Sequence, residues 1–303
     1  MKKIIILITC LQITLISFSQ DIAREMFNRA VEFKKNGQYT EALKEYDEFL
    51  KIKPDFVNAL INRANVKSLL NDNKGAIKDL DKAEKIAPND PEVYYNRGNA
   101  KHDLELYEEA IKDYNKAISI KDHQDYFFAR ANSKKAMKLY EEAIIDYSKA
   151  ISINPNFVDA YYNRGNTKKK IGEYEEAIKD YTKAIKINPG KIECYMNMGN
   201  TYIKLKKFKK AISNFDKYIE INPDSPTAYS NRGIANGGLN QYGKAIKDYS
   251  KSIEINPNNP DAYFGRAGIY HKIGDKKAEC SDLKKAADLG YERAKNIYEK
   301  YCK

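Results

Sequence analysis

The sequence predicts an all-α chain of stacked helix pairs, and three observations carry that prediction. A thirty-four-residue pattern recurs: Asn96-Arg97-Gly98, Asn163-Arg164-Gly165 and Asn231-Arg232-Gly233 stand 67 and 68 residues apart, two periods each, the first one residue short. Small residues return at fixed places in the pattern, and proline returns near its end. Self-similarity at this period marks a helical solenoid, in which each unit buries its apolar face only against its neighbours.

The units fall at 23–56, 57–90, 91–123, 124–157, 158–191, 192–225, 226–259 and 260–290, with a helical tail over 291–303. Counting from each unit's first residue, position eight is always small: Ala30, Ala64, Gly98, Ala131, Gly165, Gly199, Gly233 and Ala267. Position twenty is alanine in seven units, from Ala42 to Ala245. Two small residues twelve apart suit a helical hairpin whose backbones approach closely. Position twenty-four is Tyr46, Leu80, Tyr114, Tyr147, Tyr181, Phe215, Tyr249 and Leu283, large enough to fill the space between units. Proline at position thirty-two (Pro54, Pro88, Pro155, Pro189, Pro223, Pro257) is read as the stop of each second helix. The third unit lacks it and is one residue short near Asp122, so a local irregularity is expected there.

This pattern resembles the tetratricopeptide repeat family over residues 23 to 290. The resemblance implies antiparallel helix pairs stacked in a right-handed superhelical α-solenoid of eight repeats, closed by a C-terminal capping helix. It also implies that the first helix of each pair lines a concave groove. Two departures stand out. Position eleven, usually aromatic, is lysine in four successive units (Lys67, Lys101, Lys134, Lys168), and the last unit has Glu279 where alanine belongs.

With 42% hydrophobic and 31% charged residues, the composition excludes a multi-span membrane protein. Residues 1–19 differ from the rest. Lys2 and Lys3 precede an apolar stretch to Phe18, and Ser17 and Ser19 supply small residues at the cleavage-critical places. That is the layout of a secretory signal peptide cut before Gln20, which predicts a periplasmic or extracellular protein with no stable membrane span after cleavage. As an uncleaved anchor the stretch is short, and Gln12 interrupts it. A lipoprotein reading through Cys10 fails because the apolar run before it is brief and continues beyond it.

Loss of Lys2 and Lys3 takes the basic residues from 53 to 51 against 42 acids, a net charge near +9. The lysines recur at positions twenty-two and twenty-six of the second helix, as in Lys112 with Lys116 and Lys179 with Lys183. Glutamates stand four residues ahead, Glu108 before Lys112 and Glu175 before Lys179. This is a solvated outer stripe rather than a nucleic-acid surface. The three histidines, His102, His123 and His271, have no cysteine or paired carboxylate at metal-ligand spacing. No phosphate-cradling glycine loop occurs. The expectation is a non-enzyme with no cofactor and no metal.

Position seven is arginine in seven units, and each has an acid at position twenty-three: Arg29 with Glu45, Arg63 with Asp79, Arg97 with Asp113, Arg130 with Asp146, Arg164 with Asp180, Arg232 with Asp248 and Arg266 with Asp282. The sixth unit has Met198 and Asn214, losing both charges together. An inter-helix ion pair explains this, since a lone arginine there would carry an uncompensated desolvation cost.

Asparagine recurs at positions six and nine. In units two to six these are Asn62, Asn65, Asn96, Asn99, Asn132, Asn163, Asn166, Asn197 and Asn200. Asparagine is a mediocre helix former, about 0.5 kcal/mol worse than alanine, so its return asks for a reason. Under the resemblance these amides face the groove and can bond an extended peptide's backbone. Equally open is that they link adjacent repeats. Tyr95, Phe128 and Tyr162 at position five stand beside them as contact area or as packing. Alanine at Asn96, Asn132, Asn163 and Asn166 together is expected to leave helix stability unchanged or slightly raised.

Some relatives hold a C-terminal carboxylate with lysine at position five and lysine and arginine at positions two and six two units on. Here position five is mostly apolar, and position two is acidic in Glu92, Asp125, Asp159, Glu193 and Asp261. The clamp is absent, and a neutral or basic segment suits such a groove better than an acidic tail. Gly290 is read as a helix stop that sets Cys280 and Cys302 at similar heights on an antiparallel pair. Disulfide formation between them is expected in an oxidising compartment, with Cys194 left as an isolated thiol. The reading is a scaffold or adaptor that binds a protein or peptide ligand. Its rival is a structural, self-associating repeat subunit of an envelope assembly, as open-ended repeats can stack.

Overall fold

Each repeat divides into two helices because one residue between two amphipathic stretches leaves the helical backbone. That residue is position fifteen, and it has positive φ in every unit: Gly37, Asn71, Glu105, Lys138, Gly172, Lys206, Asn240 and Gly274. Glycine and asparagine adopt this left-handed conformation readily; glutamate and lysine do so at a cost. The amide after it closes the turn on the first helix, as Asp72 N does on Lys67 O at 2.8 Å.

The structure is a computed structural model describing residues 20–303, so the predicted leader and its cleavage site before Gln20 lie outside the described residues. The helices are α1 (20–35), α2 (Tyr39–Ile52), α3 (Val57–Leu69), α4 (Asn73–Ile86), α5 (Pro91–Asp103), α6 (Tyr107–Ile120), α7 (Gln124–Ala136) and α8 (Tyr140–Ile153). After them come α9 (Val158–Lys170), α10 (Tyr174–Ile187), α11 (Glu193–Lys204), α12 (Phe208–Ile221), α13 (Pro226–Gly238), α14 (Tyr242–Ile255), α15 (Pro260–Ile273), α16 (Lys276–Asp288) and α17 (Glu292–Tyr301). The described residues contain no strand. They form eight helix pairs and a last helix, the all-α repeat architecture that the sequence predicts. None of the helices is long and apolar enough to cross a membrane.

The chain divides into two compact units, one ending at Asn154 with α8 and one beginning at Pro155 before α9. Within each unit second helices pack between two first helices, as α4 does between α3 and α5, or α12 between α11 and α13. Successive first helices also pack on one another, α3 on α5 and α5 on α7 in one unit, α11 on α13 and α13 on α15 in the other. The first helices therefore form the tighter side of each stack.

Position eight is small because the ring at position twenty-four lies over it. A Cβ on Gly98 would stand 2.6 Å from the Tyr114 ring, on Gly165 2.8 Å from Tyr181, and on Gly199 2.5 Å from Phe215. Tyr249 also reaches into the next repeat, where a Cβ on Gly265 would meet it at 2.5 Å. These rings are buried, as are the alanines of position twenty.

Proline is not required to stop a second helix. In the first seven units the second helix ends at position thirty, always isoleucine, and α6 ends there at Ile120 with no proline behind it. Proline bars the residue before it from helical backbone, which suffices in six units. In the third unit Lys121 (φ −152°, ψ 129°) and His123 (φ −145°, ψ 137°) run extended instead. The missing residue thus removes the inter-repeat turn and leaves both helices whole.

Candidate peptide-binding face

All seven arginines meet the acid sixteen residues on. Arg63 is bidentate on Asp79 at 2.6 and 2.8 Å, Arg130 on Asp146 at 2.6 and 2.8 Å, and Arg164 on Asp180 at 2.6 and 2.9 Å. Arg97, Arg232 and Arg266 repeat this, and Arg29 holds Glu45 at 2.9 Å in a more exposed pair. The lysines at position eleven share the same carboxylates: Lys67 with Asp79 at 2.8 Å, Lys101 with Asp113 at 2.8 Å, Lys134 with Asp146 at 3.0 Å and Lys168 with Asp180 at 2.9 Å. Each buried carboxylate therefore answers two cations, which explains the departure from an aromatic at that position. In the sixth unit the whole set is replaced, by Met198, Tyr202 and Asn214.

Sequence reasoning missed a second role for these arginines. Five of them also reach position twenty-five of the preceding repeat: Arg63 to Asp47 at 2.8 Å, Arg97 to Asp81 at 2.8 Å, Arg130 to Asn115 at 2.6 Å, Arg232 to Asp216 at 2.6 Å and Arg266 to Ser250 at 2.7 Å. The signal was the run of Asp, Asn and Ser at position twenty-five. Burial works against charge on Arg97, but its hydrogen bonds to Asp113 and Glu84 raise its pKa overall.

The asparagines separate by position. At position nine, Asn99 accepts from Tyr114 Oη at 2.9 Å, Asn132 from Tyr147 at 2.6 Å and Asn166 from Tyr181 at 2.8 Å. These amides satisfy hydroxyls that position twenty-four carries into the core. Alanine at Asn132 and Asn166 would therefore orphan two buried hydroxyls, which corrects the expectation that the substitutions are harmless. Where position twenty-four has no hydroxyl, the amide is used otherwise. Asn200, below Phe215, accepts from Asn231 at 2.9 Å, and Asn65, below Leu80, has no side-chain hydrogen bond among the described residues.

At position six, Asn62 accepts from Lys34 of the preceding repeat at 3.0 Å. Asn197 accepts from Lys169 at 2.7 Å and donates to Tyr162 Oη at 3.1 Å, both one repeat back. Asn96 donates to Glu92 O in its own helix at 2.7 Å, and Asn163 is half-buried on α9. Inter-repeat linkage is thus present at Asn62, Asn197 and Asn200. The rings at position five pack on those at position twenty-four: Tyr95 on Tyr114, Phe128 on Tyr147 and Tyr162 on Tyr181, centroids 5.7 to 6.3 Å apart. All three stay half-buried, with one edge on the first-helix face.

Two hollows open on that face. In the first unit, one of about 270 Å³ is lined by Phe27, Ile61, Asn62, Asn65, Glu92 and Asn96. In the second, one of about 460 Å³ is lined by Ser230, Asn231, Ile234, Asp261, Phe264 and Gly265, in repeats outside the predicted asparagine block. The described residues hold no cluster of three or more His, Cys, Asp or Glu suited to a metal. Cys280 is bonded to Cys302, their Cα atoms 5.5 Å apart, and this ties α17 to α16. Cys194 is a buried free thiol whose pKa burial pushes up to about 12.

Models described as tetratricopeptide repeat match residues 91–123, 158–191 and 192–225 and, in a second model, 23–56. A model described as TPR repeat matches 68–105, 136–172 and 238–274. The comparison with curated proteins gives no match. Among solved structures, the C-terminal part of a TPR repeat-containing protein from Cytophaga hutchinsonii is 23% identical, with a TM-score of 0.68 over 78% of this chain and 98% of that one. A tetratricopeptide repeat protein from Parabacteroides merdae is 20% identical, with a TM-score of 0.58 over 80% and 97%. YrrB, described as a TPR protein with an unusual peptide-binding site, is 25% identical, with a TM-score of 0.52 over 60% and 95%. Helix pairing, repeat period and family models agree, and the chain is a tetratricopeptide-repeat protein.

Proposed function

We propose that this protein is a non-enzymatic scaffold, exported by its leader, that binds a protein or peptide segment on the first-helix face. One observation carries the reading. That face presents half-buried amides and ring edges on rigid helices, and at Asn65 an amide that the fold leaves unbonded. Preorganised donors and acceptors of this kind lower the ordering cost of a flexible ligand. The peptide-binding site ascribed to YrrB is consistent with it.

A photo-crosslinking residue tests the face directly. Placed at Asn65 or Asn96 in cells that make the protein, it should yield discrete adducts. Placed at Lys112 or Lys179 on the exposed second-helix stripe, it should yield none. Adducts from the stripe alone would contradict the proposal. N-terminal sequencing of the native protein tests export, where a chain beginning at or near Gln20 is expected and one beginning at Met1 contradicts it.

A further inference from the structure

The last repeat departs from the others at two places that a peptide-binding role does not explain. Position nine, asparagine in repeats two to six, is Gly268, and position twenty, alanine in the other seven repeats, is Glu279. Both border a cavity of about 400 Å³ at the end of the second unit, between α15, α16 and α17. A Cβ on Gly268 would meet nothing within 4 Å, so the missing side chain leaves room that no neighbour fills. Phe264, Ala267, Leu283 and Ile297 give the cavity its apolar lining, and Tyr301 adds a ring. Ile297 and Tyr301 come from α17, which the Cys280–Cys302 bond ties to α16 next to that ring.

Into this apolar space the fold sets one carboxylate. Glu279 has 8% of its side chain exposed, whereas Lys276 and His271 beside it have 56% and 73%. The buried charge is therefore negative, and the groups that answer it stand at the rim. His271 Nδ1 lies 3.1 Å from Glu279 Oε1, and Lys276 Nζ donates to Oε2 at 3.3 Å. The same ammonium lies 5.8 Å from the centre of the Tyr301 ring. A carboxylate and an aromatic face set about one cation are the means by which apolar sites hold amines. Lys276 thus occupies the amine position from within the chain, on one long hydrogen bond and largely in water. Arg293 and Lys300 also stack on Phe264 and Tyr301, at 5.3 and 5.0 Å, but neither lines the cavity.

We propose that this cavity binds a small primary amine with an apolar or aromatic body, whose ammonium displaces Lys276 from Glu279 and Tyr301. A cavity of this size takes a whole small molecule. An anionic ligand would be brought against the buried carboxylate, and a neutral one would offer that charge no better partner than Lys276. Occupancy of this site does not depend on a peptide partner.

The test is titration of the full mature chain with 2-phenylethylamine, followed by the backbone ¹H–¹⁵N signals of Gly268, Ile297 and Tyr301. These signals should shift saturably with the amine, and 3-phenylpropionate and 2-phenylethanol should bind at least about tenfold more weakly. E279Q, which keeps the size of the side chain, should weaken the amine at least about tenfold. K276M removes the internal competitor while keeping its apolar stem, and should tighten the amine severalfold. An anion site would respond to K276M with the opposite sign. G268L fills the cavity without touching Glu279 and should abolish binding with Tm unchanged or raised, so the test stands even if E279Q fails to fold. No saturable shift with the amine would overturn the proposal. So would preference for 3-phenylpropionate, weaker amine binding by K276M, or amine binding that survives G268L.

Discussion

Asp146 sits between Arg130 and Lys134 with 4% of its side chain exposed. Removing it strands two cations, so Asp146→Ala should cost about 3–5 kcal/mol. Replacing all three by the sixth repeat's residues, R130M/K134Y/D146N, should bring stability back to within about 1 kcal/mol of native, read by urea unfolding. The position-nine amides give a second contrast. Asn132→Ala should cost about 1–3 kcal/mol because it orphans the Tyr147 hydroxyl. Tyr46→Phe should be neutral or stabilising, because that hydroxyl is buried with no partner among the described residues and burial pushes its pKa up to about 12. The arginine–acid pairing was legible because both charges vanish together in the sixth repeat. The roles of Lys67, Lys101, Lys134 and Lys168 were not, since a lysine in place of an aromatic looks like drift until its distance to the carboxylate is known. Asn99, Asn132 and Asn166 were read toward a ligand, yet their oxygens face tyrosines fifteen residues on. A correlation between asparagine at nine and tyrosine at twenty-four was present in repeats three to five.

At the scale of the element, the turn inside each repeat demands a left-handed residue, and Lys138 (φ 64°) and Lys206 (φ 55°) meet that demand poorly. Lys138→Gly and Lys206→Gly should each stabilise by about 0.5–1 kcal/mol despite glycine's greater freedom in the unfolded chain, seen as a higher Tm. A lower Tm would mean that the lysine side chains make contacts worth more than the backbone strain. Position fifteen is glycine in three units and asparagine in two, a turn signal in the sequence that Glu105, Lys138 and Lys206 obscure. The last helix depends on its crosslink. Opening the Cys280–Cys302 bond by Cys302→Ser should cost up to about 3 kcal/mol on a chain-entropy account. The loss should appear first as faster amide exchange over 292–301, with α13 and α14 unchanged. Heights along a helical hairpin pointed to this pair because Gly290 (φ 88°) marks the turn between its helices.

For the whole molecule, eight repeats were legible from period alone, because each helix pair is specified by its own thirty-four residues. The third repeat's deletion was visible as well, but its effect, an extended link in place of a turn, depends on backbone angles that spacing does not encode. A mature chain starting at Gln20 holds three cysteines, two of them bonded, so unfolding without reductant should release one modifiable thiol, Cys194, and native protein none. Ligand chemistry was the least legible feature. Charge at position two is plain in the sequence, whereas its engagement, as of Asp159 by Lys191 at 3.0 Å, exists only in three dimensions. The central claim, a ligand held on the first-helix face, is tested most directly by labelling asparagine alone with ¹⁵N and titrating the mature protein with a peptide selected on it from a random library. Side-chain amide signals of Asn62, Asn65 and Asn96 should shift, while Asn115 and Asn214 on the second helices stay still. Shifts confined to Asn115, Asn214 and the loop residue Asn240 would contradict the account.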